Sequence, residues 1–559
     1  MGNQSMEVEA VTTYQPAVPS VRAALIDKSL WTRDDSVPLV DHTVGSLLAE
    51  RARERADAPA LIGNAHGTGE QRRLTYAELY EEATRVARAL LRMARPGEFV
   101  AIWAPNVVEW PIVQYGAALA GVTLVALNPV LRAHDLVYAL NHSRATVLVH
   151  AARSREYDLT AVVAAVRGDC PHLREVVSLS EWDTLLASGD DAVPLPQLDP
   201  DSPVMLQYTS GTTGKPKGVL LRHRSLVNVA KLTMESAEVE RGSVGVNPLP
   251  MFHTAACVIA TLGPLWLGGC VALVERFEPA PVLELIRREG ATVLFYVPTV
   301  LRAILEAARK SAEPPPPLRT VMGGAAAVPR TMIEDAEGLF GAVVHNLFGQ
   351  TELAPVLSMT RRTDSHDDLV RTVGRPLPQV DCKIIDPTTG EIQPLGVSGE
   401  ICARGYQQLM EYLHDPEETV RTVDADGWVH TGDLGAMDER GMITLTGRLK
   451  DLIIRGGENI APAEIEARLV EHQAVLEAAV MGVPDDRWGE TVGVAIRLRG
   501  PRSPGLREEL EAHCRRRLAP FKVPQHWFVA DQLPVTPTGK VQRFKLVEAV
   551  VEGRLEPLT

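Results

Sequence analysis

Short apolar runs and amphipathic stretches take turns along most of this chain, and that alternation constrains its fold more than any other feature. Residues 75–93 carry a capping box, Thr75 with Glu78, ahead of apolar side chains at Leu79, Ala83, Val86, Ala87 and Leu90. Those positions line one face of a helix. The run FVAIWA at 99–104 reads as a buried strand. Further on, the pattern predicts strand at 271–275, helix at 282–289, strand at 292–297 and helix at 300–308. After the proline loop 314–317 comes another such unit, ending in the strand before NLFGQTE at 346–352. Strands that alternate with helices form parallel sheets with the helices packed outside, so the fold class is α/β. Ligands of such sheets bind beyond the carboxyl ends of the strands, where GGAAAVP at 323–329 and NLFGQTE fall.

A chain of 559 residues, 45% of them hydrophobic, can bury large cores and exceeds the usual size of one domain. A boundary is expected near Arg448, because 427–447 is rich in glycine and acidic residues and a compact alternation of its own follows. That alternation predicts helix near 463–472, strands within 475–498, helix near 505–518 and strand at 526–530. The expected organisation is an N-terminal arm at 1–40, low in pattern and either draped over the body or partly disordered. A large domain at 41–447, of mixed and parallel sheets with flanking helices, and a small α+β domain at 448–559 complete it. PLPQLDPDSP at 194–203 resembles a linker but is too short and internal to separate domains, and no internal repeat is present.

The net charge of −14 argues against a nucleic-acid groove, and the short basic run 515–517 reads as a solvated helix face. Six cysteines, 170, 257, 270, 382, 402 and 514, are scattered without CxxC spacing and read as reduced, mostly buried thiols, neither a disulfide frame nor a zinc site. The opening lacks a basic region followed by a long apolar run, MGNQSM departs from a myristoylation signal at Met6, and the final EPLT is not a peroxisomal address. No stretch reaches the roughly 20 apolar residues of a membrane span. A cytoplasmic location is expected.

The segment YTSGTTGKPKGV at 208–219 has the composition of a polyphosphate cradle, between strand-like VMLQY and VLL. Gly211, Gly214 and Gly218 let backbone N–H groups curl around anionic oxygens, Thr209, Ser210, Thr212 and Thr213 add donors, and Lys215 and Lys217 add charge. It is not a Walker loop, because Lys215 is followed by Pro216 and strand-like residues where that motif has a lysine, then Ser or Thr, at the mouth of a helix. A solvated glycine-rich hairpin turn is the plainer alternative, and the density of hydroxyls weighs against it.

This string resembles the signature loop of the adenylate-forming superfamily, which includes acyl-CoA synthetases, amino-acid-activating domains of peptide synthetases and beetle luciferases. Further strings similar to family motifs follow in the family's order: LPMFHTAA at 249–256, GGAAAVP, NLFGQTE, WVHTGDLG at 428–435, GRLKDLIIRGGENIAPAEIE at 447–466 and PVTPTGKVQR at 534–543. The resemblance implies a large domain with a small mobile one behind it. It also implies a reaction in which a carboxylate attacks the α-phosphate of ATP, giving an acyl-adenylate and pyrophosphate before a thiol displaces AMP. ATP, Mg²⁺ and CoA are the implied cofactor and co-substrates.

By resemblance, Thr209, Ser210, Gly211, Thr212, Thr213, Gly214 and Lys217 hold the terminal phosphates, with Lys215 as an alternative lysine. Glu352, beside Thr351, corresponds to the Mg²⁺ carboxylate. Gly324, Ala325 and Ala326 let the adenine lie against backbone, with Asn346, Phe348 and Gly349 around it. Asp433 corresponds to the acceptor for the ribose diol, Arg448 to a nucleotide-contacting arginine, and Lys450 to the hinge on which the small domain turns. Lys540 corresponds to the catalytic lysine that stabilises charge developing at the α-phosphate. Gly456 and Gly457 would line a narrow pantetheine tunnel. Taken alone, Glu352 is a helix-start residue, Asp433 and the two glycines are turn residues, GGAAA is a packed strand end and Lys540 is a surface charge. Their motif contexts favour the functional roles.

The acyl pocket implied by family position is Phe252, His253, Ala255, Val297, Thr299, Gly323, Leu347, Leu353 and Ala354, with His253 and Thr351 counted among the catalytic residues. In amino-acid-activating relatives an aspartate follows the phenylalanine of this motif, and here His253 stands there, which favours a plain hydrophobic acid, fatty or aryl. The expected function is an acyl-CoA synthetase working by domain alternation. The alternatives are an enzyme that loads a carrier-protein phosphopantetheine, or one that only thioesterifies an acyl-adenylate made elsewhere. A non-catalytic nucleotide binder is disfavoured because Glu352, Asp433 and Lys540 are all present. A homodimer is a guess on which the residues are silent.

Overall fold

A computed structural model describes residues 25–189, 191–209, 216–324, 328–455, 458–485, 487–535 and 541–559. Its largest sheet has nine strands, in the order Arg375–Pro376, Ser358–Met359, Val343–Phe348, Thr320–Gly324, Val293–Tyr296, Val244–Asn247, Cys270–Leu273, Pro59–Asn64 and Gln71–Thr75. The six central strands, from Val343–Phe348 to Pro59–Asn64, run parallel. The alternation at 271–348 produces this part of the sheet, with helices Pro279–Glu289, Pro298–Lys310 and Arg330–Phe340 as crossovers.

A second, seven-stranded sheet has Phe99–Trp103 inside a parallel set of Pro203–Thr209, Thr123–Leu127, Val147–His150 and Glu175–Ser178. Its other end is antiparallel, because Lys217–Arg222 folds back on Pro203–Thr209 and the short strand Glu411–Tyr412 pairs beyond it. Helix Glu109–Ala120 is apolar on almost every side and all 12 of its residues are buried. A helix hydrophobic all round belongs inside a layered protein. The expected helix at 75–93 forms as Tyr76–Met93, and its capping box is present, with Glu78 N–H donating to Thr75 Oγ1 at 3.2 Å and Thr75 N–H to Glu78 Oε2 at 2.8 Å.

A third sheet, of five antiparallel strands, has the order Leu30–Trp31, Val380–Ile385, Gly399–Gly405, Val429–Met437 and Ile443–Arg448. Its first strand belongs to the N-terminal arm, so residues 25–40 drape over the body and add an edge strand to it. Residues 1–24 lie outside the described ones. From Ile453 onward the chain builds a separate core, in which Ile453, Ile465, Leu469, Val480, Val494 and Leu510 pack among themselves. Two long antiparallel strands, Val475–Asp485 and Gly489–Leu498, carry it, covered by helices Pro462–Val470, Leu506–Arg515 and Arg543–Val551. A large α/β domain followed by a small α+β one is the architecture expected from the sequence. The six cysteines are free and buried, and among the described residues no helix is long and apolar enough to cross a membrane.

Candidate active site

The hairpin that carries the phosphate-loop motif closes on the pair Thr209 and Lys217. Ser210, Gly211, Thr212, Thr213, Gly214 and Lys215 lie outside the described residues. Lys217 leaves the hairpin with its ammonium paired to Glu418 and 5.2 Å from the centre of the Tyr412 ring. The Tyr412 hydroxyl in turn donates to Glu352 Oε1 at 2.7 Å. Burial, and then the Glu352 charge, push the Tyr412 phenol well above its ordinary value, so it remains a proton donor at neutral pH. Backbone bonds fix this arrangement. Leu413 N–H donates to Gly218 O, Met410 N–H to Leu220 O and Leu409 N–H to Glu352 O, each at 2.8–2.9 Å. The segment around Tyr412 therefore clamps the phosphate hairpin to the turn that bears Glu352.

That turn, Thr351–Leu353, follows strand Val343–Phe348, whose carboxyl end lies beside those of Thr320–Gly324 and Val293–Tyr296. Gly323, Gly324, Val297, Leu347, Phe348, Gly349 and Thr351 all emerge on this edge, partly open to solvent. Close approach dictates the two glycines: a β-carbon would stand 1.9 Å from Tyr296 O at position 323 and 2.0 Å from Leu347 O at position 324. No other residue fits there without separating the strands. Ala325 and Ala326 lie outside the described residues.

Asn346, expected as an adenine contact, is buried, its amide oxygen accepting from Tyr296 Oη at 2.9 Å and its amide nitrogen donating to Leu369 O at 2.6 Å. Those two bonds hold the amide in place and leave one acceptor and one donor position on it. Leu353 and Ala354, expected as pocket lining, are also fully buried and support the edge from behind.

Strand Val244–Asn247 delivers the LPMFH motif to the same edge. Phe252 and His253 stack at a tilt with ring centres 4.3 Å apart, both partly exposed. The chain then winds into a π-helical turn, Ala255–Ile259, before helix Ala260–Leu267. Such turns are rare and concentrate at functional sites. Ala255, in that turn, and Thr299, in the first turn of helix Pro298–Lys310, are exposed.

On the third sheet, Asp433 pairs with Arg448, Oδ1 to Nε at 2.7 Å, and Asp433 is buried. Lys450 follows in the turn Leu449–Asp451, and burial, then the Arg448 charge, lower its ammonium below the ordinary value. Lys540, Gly456 and Gly457 lie outside the described residues. Their flanks are closed, by a bridge between Val535 and Val541 and by the pair Arg455 and Glu458. Nearby, the guanidinium groups of Arg455 and Arg487 lie 4.9 and 4.8 Å from the centre of the Trp488 ring.

Sequence reasoning overlooked Tyr412, Glu418 and Trp488. The first two have no local signal, since their partners are 60 and 201 residues away.

Residues 48–413 match the AMP-binding enzyme family and residues 464–540 match the AMP-binding enzyme C-terminal domain. A CoA ligase of Rhodococcus jostii (strain RHA1), named for a propanoyl group on a methylated dioxo-octahydro-indene, is 35% identical over 530 residues, covering 90% of this chain and 98% of that protein. The mitochondrial medium-chain acyl-CoA ligase ACSF2 of Rattus norvegicus is 32% identical over 547 residues, covering 91% and 88%. Among solved structures, o-succinylbenzoate CoA synthetase (MenE) from Bacillus subtilis with its acyl-adenylate intermediate superposes with a TM-score of 0.78 at 28% identity, covering 91% of this chain and 98% of that one.

Proposed function

The chain belongs to the AMP-binding enzyme family and is an AMP-forming acid–thiol ligase, and on that premise we propose that it converts a hydrophobic carboxylic acid to its CoA thioester through an acyl-adenylate. The observation that carries this reading is the clamp that joins Lys217, Tyr412 and Glu352 beside the edge bearing His253, Val297 and Gly323. Groups suited to a polyphosphate thus stand beside a strand edge that bears small and apolar residues.

In the first step an oxygen of the substrate carboxylate attacks the α-phosphorus of ATP. The bond from that phosphorus to the β-phosphate bridging oxygen breaks, and pyrophosphate leaves with the electron pair. Lys217 and the loop 209–218 hold the leaving phosphates, and Lys540 meets the charge that develops at the α-phosphate, where a fixed cation favours the transition state over the ground state. Glu352 suits Mg²⁺: it is a hard carboxylate with one oxygen held by Tyr412 and no hydrogen bond to Oε2 among the described residues. The ion would neutralise phosphate charge.

Asp433 and Arg448 take the ribose side of the nucleotide, and Gly324 and Phe348 the adenine. In the second step the CoA sulfur attacks the acyl carbon, the bond to the AMP oxygen breaks, and the thiol proton is released. A turn of the small domain about Lys450, near a boundary at Arg448, withdraws Lys540 and brings Gly456 and Gly457 to the thiol's path. Trp488, with the guanidinium groups of Arg455 and Arg487 close to its ring, offers aromatic and cationic surface to the CoA nucleotide.

Two features support a hydrophobic acid: the small, apolar character of Ala255, Val297, Gly323 and Leu347, and relatives named for medium-chain and bicyclic propanoyl acids. The test separates the half-reactions. Lys540→Ala is expected to suppress acyl-adenylate formation at least about 100-fold while sparing CoA capture from supplied acyl-adenylate. Equal loss of both halves would refute the assignment.

A further inference from the structure

The turn that bears Asp433 is a bulge, and its geometry depends on a carboxylate in the neighbouring strand. Cys402 pairs with His430 and Glu400 with Leu434, so Thr431, Gly432 and Asp433 all stand opposite Ile401. Extra residues leave ladder groups unpaired and push the chain out of the sheet. Gly432 takes a φ of +68°, in the left-handed region open to glycine. Three bonds from side chains replace the lost ladder. The Thr431 hydroxyl donates to Ile401 O at 2.7 Å, Asp433 N–H to Thr431 Oγ1 at 3.1 Å, and Gly432 N–H to Glu400 Oε1 at 3.1 Å.

Glu400 is buried, 6% exposed, and its second oxygen accepts from His430 Nδ1 at 2.8 Å. The other ring nitrogen of His430 is 3.6 Å from Asp424 Oδ2. Glu400, Cys402 and His430 form a group whose ligand atoms lie within 4.8 Å of one another, close enough to suggest a metal. The 2.8 Å separation of Nδ1 and Oε2 decides against one. Two ligands at 2.0–2.2 Å from a tetrahedral ion stand roughly 3.3 Å apart, so a shared proton fits here and an ion does not. Cys402 and Glu400, both against Nδ1, raise His430 to about 10, which keeps it a donor to Glu400 at neutral pH.

We propose that Glu400, held by His430, is a positioning residue for nucleotide binding: it fixes the bulged turn so that Asp433, with Arg448, presents its carboxylate to the ribose diol. This rests on the reading of Asp433 as the ribose acceptor. Glu400 touches no reacting atom and acts through the backbone of Gly432.

The test is a double-mutant cycle on nucleotide affinity. Glu400→Gln keeps size and one acceptor but faces His430 with an amide. It is expected to raise the Kd for AMP, measured by calorimetry, and the KM for ATP about tenfold, with KM for the acid changed less than twofold. In an Asp433→Ala background the same substitution is expected to change the AMP Kd less than twofold, because its route to the nucleotide is gone. His430→Gln, which leaves Glu400 in place, should give a smaller loss of the same pattern and serves if Glu400→Gln fails to fold.

An unchanged AMP Kd in Glu400→Gln would overturn the proposal, as would equal losses for ATP and acid or a full effect in the Asp433→Ala background. If Asp433→Ala loses nucleotide and Glu400→Gln keeps it, this inference alone fails. If Asp433→Ala binds AMP as the wild type does, the ribose reading fails and takes this one with it.

Discussion

Replacing Tyr412 with phenylalanine removes one hydroxyl and should weaken adenylation, the half-reaction for which Glu352 is proposed to hold Mg²⁺. The ring stays to fill its site, which is 5% exposed, and the 2.7 Å bond to Glu352 Oε1 is lost. A hydrogen bond to a charged acceptor contributes about 1.5–3 kcal/mol net. Glu352 is partly open to solvent, so water recovers some of that, and the expected loss lies near the lower bound, about 1.5 kcal/mol or roughly tenfold. A ligating carboxylate without its supporting bond loses orientation, so the change should appear in the metal requirement. Acid-dependent exchange of pyrophosphate into ATP, followed across Mg²⁺ concentrations, reads it directly. Tyr412→Phe should need about tenfold more Mg²⁺ for half-maximal exchange, with KM for the acid unchanged. Tyr412→Ala should lose more, because it also removes the ring 5.2 Å from the Lys217 ammonium, a contact worth about 0.5–2 kcal/mol. A Tyr412→Phe enzyme with wild-type Mg²⁺ dependence would refute the role given to the clamp.

Two further outcomes concern stability. Two-pronged bonding from Arg440, with help from Ser365, holds Asp368 at about 2, below the 3.8 of an unpaired aspartate. Its contribution is therefore fully present above pH 3.8 and is lost as the pH falls from 3.8 toward 2, so Arg440→Gln should melt below the wild type at pH 6, with the gap closing on acidification; a gap that widens in acid would contradict the assignment. Gly324→Ala forces a β-carbon to 2.0 Å from a backbone oxygen, and it should cost more than about 3 kcal/mol and abolish ATP binding; wild-type melting and KM for ATP would show that the strand edge can yield.

What was legible in the sequence was whatever is written locally. The capping box at Thr75 and Glu78, the crossover units of 271–348 and the strands flanking the phosphate loop all formed within a few residues of their expected bounds. The five-stranded sheet from Leu30 to Arg448 was not read as a unit. Its strands carry buried polar residues, Asp381, Glu400 and Asp433, which break the apolar alternation that marks a strand. The π-helical turn at Ala255–Ile259 has no distinguishing composition. Tyr412, Glu418 and Glu400 escaped notice because their meaning lies in partners at 352, 217 and 430, which only the folded chain brings near. The bonds of the Asn346 amide to Tyr296 and Leu369 were likewise not legible, since those partners stand 50 and 23 residues away.

The central claim is that the substrate carboxylate attacks the α-phosphorus of ATP, and the fate of its oxygen tests this most directly. With both carboxylate oxygens of a hydrophobic acid replaced by oxygen-18, one turnover with ATP and CoA should leave one labelled oxygen in AMP and one in the thioester, with pyrophosphate unlabelled. Formation of ADP and phosphate, or AMP without label, would contradict the account.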